Sequence, residues 1–498
     1  MIFASLFLLL FFGVEGLLSV ETNLPGSDLL DKKRKSRESA LHPKNTDTHS
    51  YELKELKMDF VMETMENHFP LLAAAFQDYN IADAELLSAK GSFDGAIKSN
   101  ITSSSGYYLN QRFDTMVEQP TTFNGTSFFA GYRLGQGKFP VYYGERETNK
   151  YGEVRAGARI PIFRNRSIDK GRASIKQSEI GMRLADLSVT GQKLEIYRNA
   201  LMKYWDWIAS VEKYKIAQSI YRIAEIRQNQ ITRRVKEGDL ALIEQIDNER
   251  ILLQREAQLL SAEQNMNVAA NELSLFLRID KEKKIQPTLN LLPQGAFDQM
   301  KDPEGMDIEK QVNFAMENRP DLLRFKAQKD INRIEKELAK NQIQPGIDLV
   351  FMASQDMGPG SETRSKPELD ANIVLNIPLQ TRTQRGKIKG VDAKNKKLEE
   401  QEKYMRDRIG ADIKNIYSFL NVTRERALLA KREVELADQL EKAELDKFKI
   451  GEGTLILVNI REQTLAEAKN REIDALSDHK KTIVNFYATL ADLKSLRK

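Results

Sequence analysis

Glu153-Val154-Arg155-Ala156-Gly157-Ala158-Arg159-Ile160-Pro161-Ile162-Phe163 is a phrase that the chain uses twice. Its second form is Leu369-Asp370-Ala371-Asn372-Ile373-Val374-Leu375-Asn376-Ile377-Pro378-Leu379. In the first, Val154, Ala156, Ala158 and Ile160 face one way, and Glu153, Arg155, Gly157 and Arg159 the other. In the second, Leu369, Ala371, Ile373, Leu375 and Ile377 oppose Asp370, Asn372 and Asn376. Alternation of period 2 marks a strand with one wet face. Each strand ends at Ile-Pro and leads into a helical pattern far longer than a globule needs. Self-similarity on this scale sets the architecture before any single residue does.

From about Arg166 to Val235 the pattern is one helix without proline. Leu187, Leu194, Leu201 and Ile208 recur every seven residues, as do Tyr197, Tyr204 and Val211, which predicts a coiled-coil seam. About seventy residues at 1.5 Å each give a rod of roughly 105 Å. Trp205 and Trp207 cannot share one helix face; one is expected in the seam and the other against a neighbouring protomer. The chain reverses at Glu237-Gly238-Asp239 and a shorter helix returns, about Leu242 to Leu277. The stretch from Gln286 to Gly305 carries Pro287, Pro293 and Pro303 and reads as a linker.

The unit then repeats. A helix with Pro320 matches one with Pro70. A strand with Ile347, Leu349, Phe351 and Ala353 on one face matches one with Ile97, Ser99 and Ile101. A long helix from about Arg385 to Ile450 carries the stripe Leu398, Met405, Ile409, Ile413, Ile416 and Leu420. It turns at Gly451-Glu452-Gly453 and returns to about Leu493. Pro70 and Pro320 are 250 positions apart, and Pro161 and Pro378 are 217 apart. The first copy thus holds 33 more residues between its strands. They fall in a block from Tyr107 to Tyr151 with eleven aromatic residues. Tyr and Phe there could gird a bilayer interface or pack an extended surface hairpin. Gly135-Gln136-Gly137-Lys138 lacks the spacing and the strand–helix context of a phosphate loop.

Composition narrows the function classes. Of 498 residues, 41% are hydrophobic and 30% charged, with only 27 Gly and 14 Pro, a balance that suits solvent-laced helices. The net charge of +4 is small and the signs are interspersed, so no nucleic-acid partner is expected. The absence of cysteine excludes disulfides, thiolate sites and an acylated N-terminal cysteine. His42, His49, His68 and His479 form no ligand spacing. No catalytic, cofactor-binding or metal-binding site is expected, and the chain does not read as an enzyme.

Residues 1–20 read as a signal peptide, with the apolar run Ile2 to Phe12 before Gly13, Gly16 and Ser19. The segment lacks a basic n-region, while Lys32, Lys33, Arg34, Lys35 and Arg37 lie downstream. An uncleaved anchor or a misplaced start are its alternatives. Residues 21–50 read as a flexible polar leader. Residues 51–280 form the first repeat, 281–305 an equatorial linker and 306–498 the second repeat.

Four strands are too few to close a barrel. An open sheet edge in lipid would leave backbone groups unpaired. Four strands from each of three chains would close a twelve-strand barrel, apolar face to lipid and charged face to water. A soluble sandwich is the alternative, although rods rather than sheet-covering helices flank these strands.

Glu317-Asn318-Arg319-Pro320-Asp321-Leu322 resembles the Asn-Arg-Pro-Asp-Leu motif of TolC-like outer-membrane efflux proteins. Phe448-Lys449-Ile450-Gly451-Glu452-Gly453-Thr454-Leu455 resembles the family's second periplasmic turn, and Ile377-Pro378-Leu379 its strand-to-helix junction. The likeness spans nearly everything from Tyr51 to Leu496. It implies a fold of α plus membrane β: a long α-helical coiled-coil barrel beneath a twelve-strand trimeric outer-membrane β-barrel. It further implies a homotrimer in outer-membrane lipid with a large periplasmic portion. Such a passive duct docks onto a periplasmic adaptor and an inner-membrane transporter, for efflux or type I secretion. By the same likeness Gly238, Phe448, Gly451 and Gly453 form the periplasmic tip that meets the adaptor. The candidate pore constriction is Glu244 and Asp247 in the first copy and Leu457 and Ile460 in the second. Where some relatives carry carboxylates in both copies, the second copy here is apolar. A non-conducting coiled-coil protein of the envelope is the alternative function.

Overall fold

The computed structural model describes residues 54–497 apart from 280–282 and 304; the expected signal peptide and polar leader lie outside them. From Glu55 onward the chain forms one compact unit. It runs α1 (Met58–His68), α2 (Pro70–Lys90), β1 (Ala96–Ser104), β2 (Asn110–Pro120), β3 (Ser127–Gly137) and β4 (Glu153–Pro161). Then come α3 (Lys170–Lys236), α4 (Leu242–Ser274), α5 (Ile308–Asn318), α6 (Pro320–Asn341), β5 (Gly346–Asp356), β6 (Glu368–Asn376), α7 (Arg382–Lys449) and α8 (Leu455–Leu490).

The two matching prolines act alike. Pro70 and Pro320 each open a helix, where a missing N–H costs nothing. The residue before each is pushed into extended backbone, so Phe69 and Arg319 break the path between α1 and α2 and between α5 and α6. Asp169 caps α3: its carboxylate accepts from the backbone N–H of Arg172 at 2.8 Å.

The heptad seam of α3 forms the core. Leu194, Tyr197, Leu201, Tyr204, Ile208 and Val211 are all buried. The expectation for the tryptophans is corrected: both are fully buried within one chain. Trp205 stacks on Phe297 of the linker at 6.0 Å, and Trp207 lies 6.3 Å from the Tyr204 ring. Two side chains on different faces can both be covered because α3 is packed on several sides, by α2, α4, α6 and α8. The linker binds the middle of the rods. Gln299 Oε1 accepts from the Tyr204 hydroxyl at 3.0 Å and from the Met58 N–H at 3.1 Å.

The sheet departs from expectation in its size. It has six strands, not four, in the simple order β1-β2-β3-β4-β5-β6, all antiparallel. The additional pair, β2 and β3, is built from the extra residues of the first copy. Neighbours in sequence therefore lie side by side throughout, and β4 against β5 joins the two copies. Among the described residues no helix is long and apolar enough to cross a membrane.

Candidate functional site

Register carries one chemistry across the whole sheet. Ile101, Phe113, Leu134, Ala130, Ala156, Ala353 and Leu369 belong to one face, linked pair by pair through the five ladders. Ile97, Val117, Phe128, Phe351 and Ile373 lie on the same face and are exposed. The opposite face carries the charges, which lie among Met116, Phe129, Val350, Met352 and Val374. Asp114 of β2 draws in Arg112 at 2.6 Å, Arg133 at 2.9 Å and Arg155 at 3.2 Å, and Arg133 also reaches Glu153 at 3.4 Å. Lys98 pairs with Glu118 on that face. The sheet's end strands, β1 and β6, each pair on one side only. Their apolar side chains are open, Leu369 being 87% exposed.

Four of the six strands join rods directly. The contacts order the helices next to the sheet as α2, α3, α6 and α7, which follow or precede β1, β4, β5 and β6. At the far end the order is α7, α8, α3 and α4. The outermost helices there carry heptads that nothing among the described residues covers. On α4 these are Ile246, Leu253 and Leu260; on α7 they are Val422, Leu429 and Leu436.

The far end is closed by two copies of one turn. The N–H groups of Gly238 and Asp239 donate to the carbonyls of Val235 and Arg234 at 3.2 and 2.8 Å. Those of Gly451 and Glu452 donate to Phe448 and Lys447 at 3.1 and 3.0 Å. This is the Schellman helix ending, and both glycines have φ of +84°, where a Cβ would be strained. Phe448 is half-buried beside the second turn, and a Cβ on Gly453 would lie 2.9 Å from its backbone N. The return helices begin differently: Thr454 caps α8 through its hydroxyl, whereas Ala241 gives α4 no side-chain cap.

The four candidate constriction residues occupy matching places after these turns. Glu244 and Asp247 are half-buried in the first turns of α4, Asp247 pairing with Arg250 at 3.0 Å. Leu457 and Ile460 are exposed on the first turns of α8. A nearby ion cluster escaped the sequence reading. Glu462 of α8 receives Arg227 of α3 through both guanidinium nitrogens and Arg255 of α4 at 2.9 Å. Arg227 also donates to Asn459 Oδ1 at 2.6 Å. Burial pulls the Arg255 guanidinium below its usual pKa, with Glu462 opposing that pull. Burial, then the charge of Glu462, pushes Glu441 of α7 upward. No spacing could have found this cluster, since Glu462 of α8 is more than 200 positions from both Arg227 of α3 and Arg255 of α4.

An amphipathic antiparallel sheet carried on rods about 100 Å long, with a reversal at the far end of each, decides the comparison. The fold is that of the TolC-like outer-membrane channels. CusC, studied for its folding and transmembrane channel formation, matches with a TM-score of 0.63 at 10% identity, over 90% of this chain and 95% of that one. The CmeC outer membrane channel of Campylobacter jejuni matches with a TM-score of 0.61 at 12% identity, over 91% and 90%. The MtrE outer membrane channel of Neisseria gonorrhoeae, in its open state, matches with a TM-score of 0.61 at 12% identity, over 90% and 94%. No family model matches the chain, and no curated protein matches its sequence. The TolC-like fold is thus preserved at an identity where only patterning and geometry remain.

Proposed function

We propose that the chain is the exit duct of a tripartite efflux or type I secretion assembly. Three copies form a homotrimer that sits in the outer membrane by its sheets and extends through the periplasm by its helices. Substrate passes through passively, and an inner-membrane transporter supplies the energy. A periplasmic adaptor meets the tip at Gly238, Phe448, Gly451 and Gly453. Glu244 and Asp247, with Leu457 and Ile460, form a mixed constriction.

The observation that carries this reading is the pair of open edges at both ends of the chain. The sheet is open at β1 and β6, and the far helices are open at α4 and α7. A surface that offers different edges on its two sides closes by head-to-tail rings. In lipid such closure is obligatory for a sheet. The resemblance of its Asn-Arg-Pro-Asp-Leu and turn motifs to those of TolC-like proteins favours three as the number of copies.

Mass measurement of the detergent-purified chain and recording in a planar bilayer test this together. A trimer with stable conductance is expected. A trimer that never conducts would favour the non-conducting envelope coiled coil. A stable soluble monomer would overturn the architecture.

A further inference from the structure

We infer that the inserted β2–β3 hairpin is a wall element of the pore, so that a trimer closes eighteen strands and opens a mouth of porin width. This rests on the exit-duct reading and departs from the twelve strands that the sequence alone suggested.

Register supports it first. β2 pairs with β1 from Asn110 to Glu118, and β3 pairs with β4 from Ser127 to Arg133. The hairpin therefore lies level with the strands around it and not above them. Each of its strands has 11 residues, the length that crosses a bilayer at a tilt. Polarity supports it next. Val117, Phe113, Phe128 and Leu134 continue the apolar face of β1 and β4, interrupted by Ser99 and Thr115, whose hydroxyls pair at 2.9 Å. Arg112, Asp114 and Arg133 continue the charged face, where Asp114 pairs with Arg155 of β4 and Arg133 with Glu153. A hairpin standing free in water would have no reason to keep lipid-like and water-like sides in step with its neighbours.

The turn is also anchored on the helix side. Gly125 has φ of +71°, and a Cβ there would lie 2.3 Å from the Asn165 carbonyl at the start of the long rod. Arg172 of α3 donates to the carbonyls of Asn165 and Arg166. The β2–β3 turn is thus seated on the strand–helix junction, as the periplasmic turn of a barrel would be.

Circumference supports it last. Strands about 4.8 Å apart and tilted at about 40° each take up roughly 6 Å of wall, so six take up roughly 38 Å. Four helices about 8–10 Å apart take up roughly 32–40 Å. Six strands match the arc of the four rods that carry them, whereas four strands would fill about two thirds of it. Barrel diameter grows nearly in proportion to strand number, so eighteen strands give a mouth about one and a half times as wide as twelve, within the range that holds an aqueous channel. Solutes of porin-permeant size and larger are its substrates at this level. The charged cluster around Asp114 lines the water side.

The cysteine-free chain allows a direct test in the full-length protein reconstituted into liposomes. Single spin labels are placed at Ala130→Cys and Leu134→Cys on the apolar face, and at Met116→Cys and Phe129→Cys on the charged face. Ile373→Cys on β6 is the control. Oxygen, which concentrates in lipid, should relax the labels at 130, 134 and 373, and a water-soluble nickel chelate those at 116 and 129. If all four hairpin labels see the chelate while 373 sees oxygen, the hairpin stands outside the bilayer and the proposal falls. If 373 also sees the chelate, the sheet is not in the membrane and the exit-duct reading fails with it. Polymer exclusion from the outer mouth gives a second measure. Removal of residues 105–137 should lower the limiting polymer radius by about one third, and an unchanged limit overturns the proposal. If that deletion does not assemble, the labels decide alone.

Discussion

Glu462 holds the buried guanidinium of Arg255 and the half-buried one of Arg227 with a side chain that is itself only 5% exposed. Truncating one partner of a buried ion pair strands the other charge and costs about 3–5 kcal/mol. Glu462→Ala should therefore lower the melting temperature of the purified protein strongly. Asp247→Ala removes an exposed pair with Arg250 and should change stability by less than about 0.5 kcal/mol. Equal melting temperatures for the two variants would mean that the cluster ties nothing together. His479 makes a pH-dependent tie at the linker. Its Nε2 lies 3.0 Å from Asp302 and its Nδ1 3.1 Å from the Thr423 hydroxyl. Lys480 and Arg424 also face Asp302, at 3.5 and 3.7 Å. Burial lowers the imidazole pKa; the charge of Asp302 opposes this, and Lys480 and Arg424 reinforce it. A base whose folded pKa is depressed is protonated first in the unfolded chain. Stability is then fully present above the unfolded value of about 6.5 and is lost as pH falls below it toward the folded value. Wild-type protein should lose more thermal stability between pH 7 and pH 5 than His479→Gln, and parallel losses would remove His479 as a cause.

At the scale of elements, the exposed heptads are the strongest commitment. Leu253 on α4 and Leu429 on α7 are 59% and 68% exposed, in seams that repeat every seven residues. An aspartate in either seam would put charges into a ring interface built from apolar side chains. Leu253→Asp and Leu429→Asp should each convert the proposed trimer to monomer by light scattering while far-UV circular dichroism keeps its helical signal. Leu194→Asp, in the buried seam, should lose the helical signal as well. Long rods were legible because a heptad needs only its own segment: Leu194, Leu201 and Ile208 could be read without a partner in view. The turns at Gly238 and Gly451 were legible because left-handed backbone nearly requires glycine. The hairpin strands were hidden by their own glycines and rings. Gly131 and Gly135 look like loop residues, yet a Cβ at Gly131 would meet the Thr115 carbonyl at 2.5 Å and one at Gly135 the Arg146 carbonyl at 1.9 Å. They are there for close approach between neighbouring backbones. The period-2 run Phe128, Ala130, Tyr132, Leu134 was present but sat among aromatics that also suit an interface girdle. One of the two tryptophans was misplaced, outside the chain's own core, because a helix wheel does not reveal how many neighbours a rod has.

At the scale of the whole molecule, closing a ring of three would turn each tip residue into three symmetry-related ones. Glu244 follows Gly238 by the same interval as Leu457 follows Gly451, and the two turns share one hydrogen-bond pattern. The ring at that level would therefore alternate three carboxylates with three leucines, instead of six carboxylates. Rings of acidic side chains favour cations and bind multivalent ones in the pore. Half the charge predicts a weaker cation preference, and a stronger dependence on ionic strength than a deep, water-excluding site would show. Glu244→Gln should remove most of the remaining cation preference in bilayer recordings and reduce block by multivalent cations. Leu457→Asp should restore the missing half, strengthening both the preference and the block. The two variants act in opposite directions on one measured quantity, so a general loosening of the tip cannot imitate the result. Unchanged conductance and unchanged block in Glu244→Gln would take Glu244 out of the constriction and leave Leu457 and Ile460 as an apolar one. In that case Leu457→Asp should still raise conductance, by wetting a constriction that closes through dewetting.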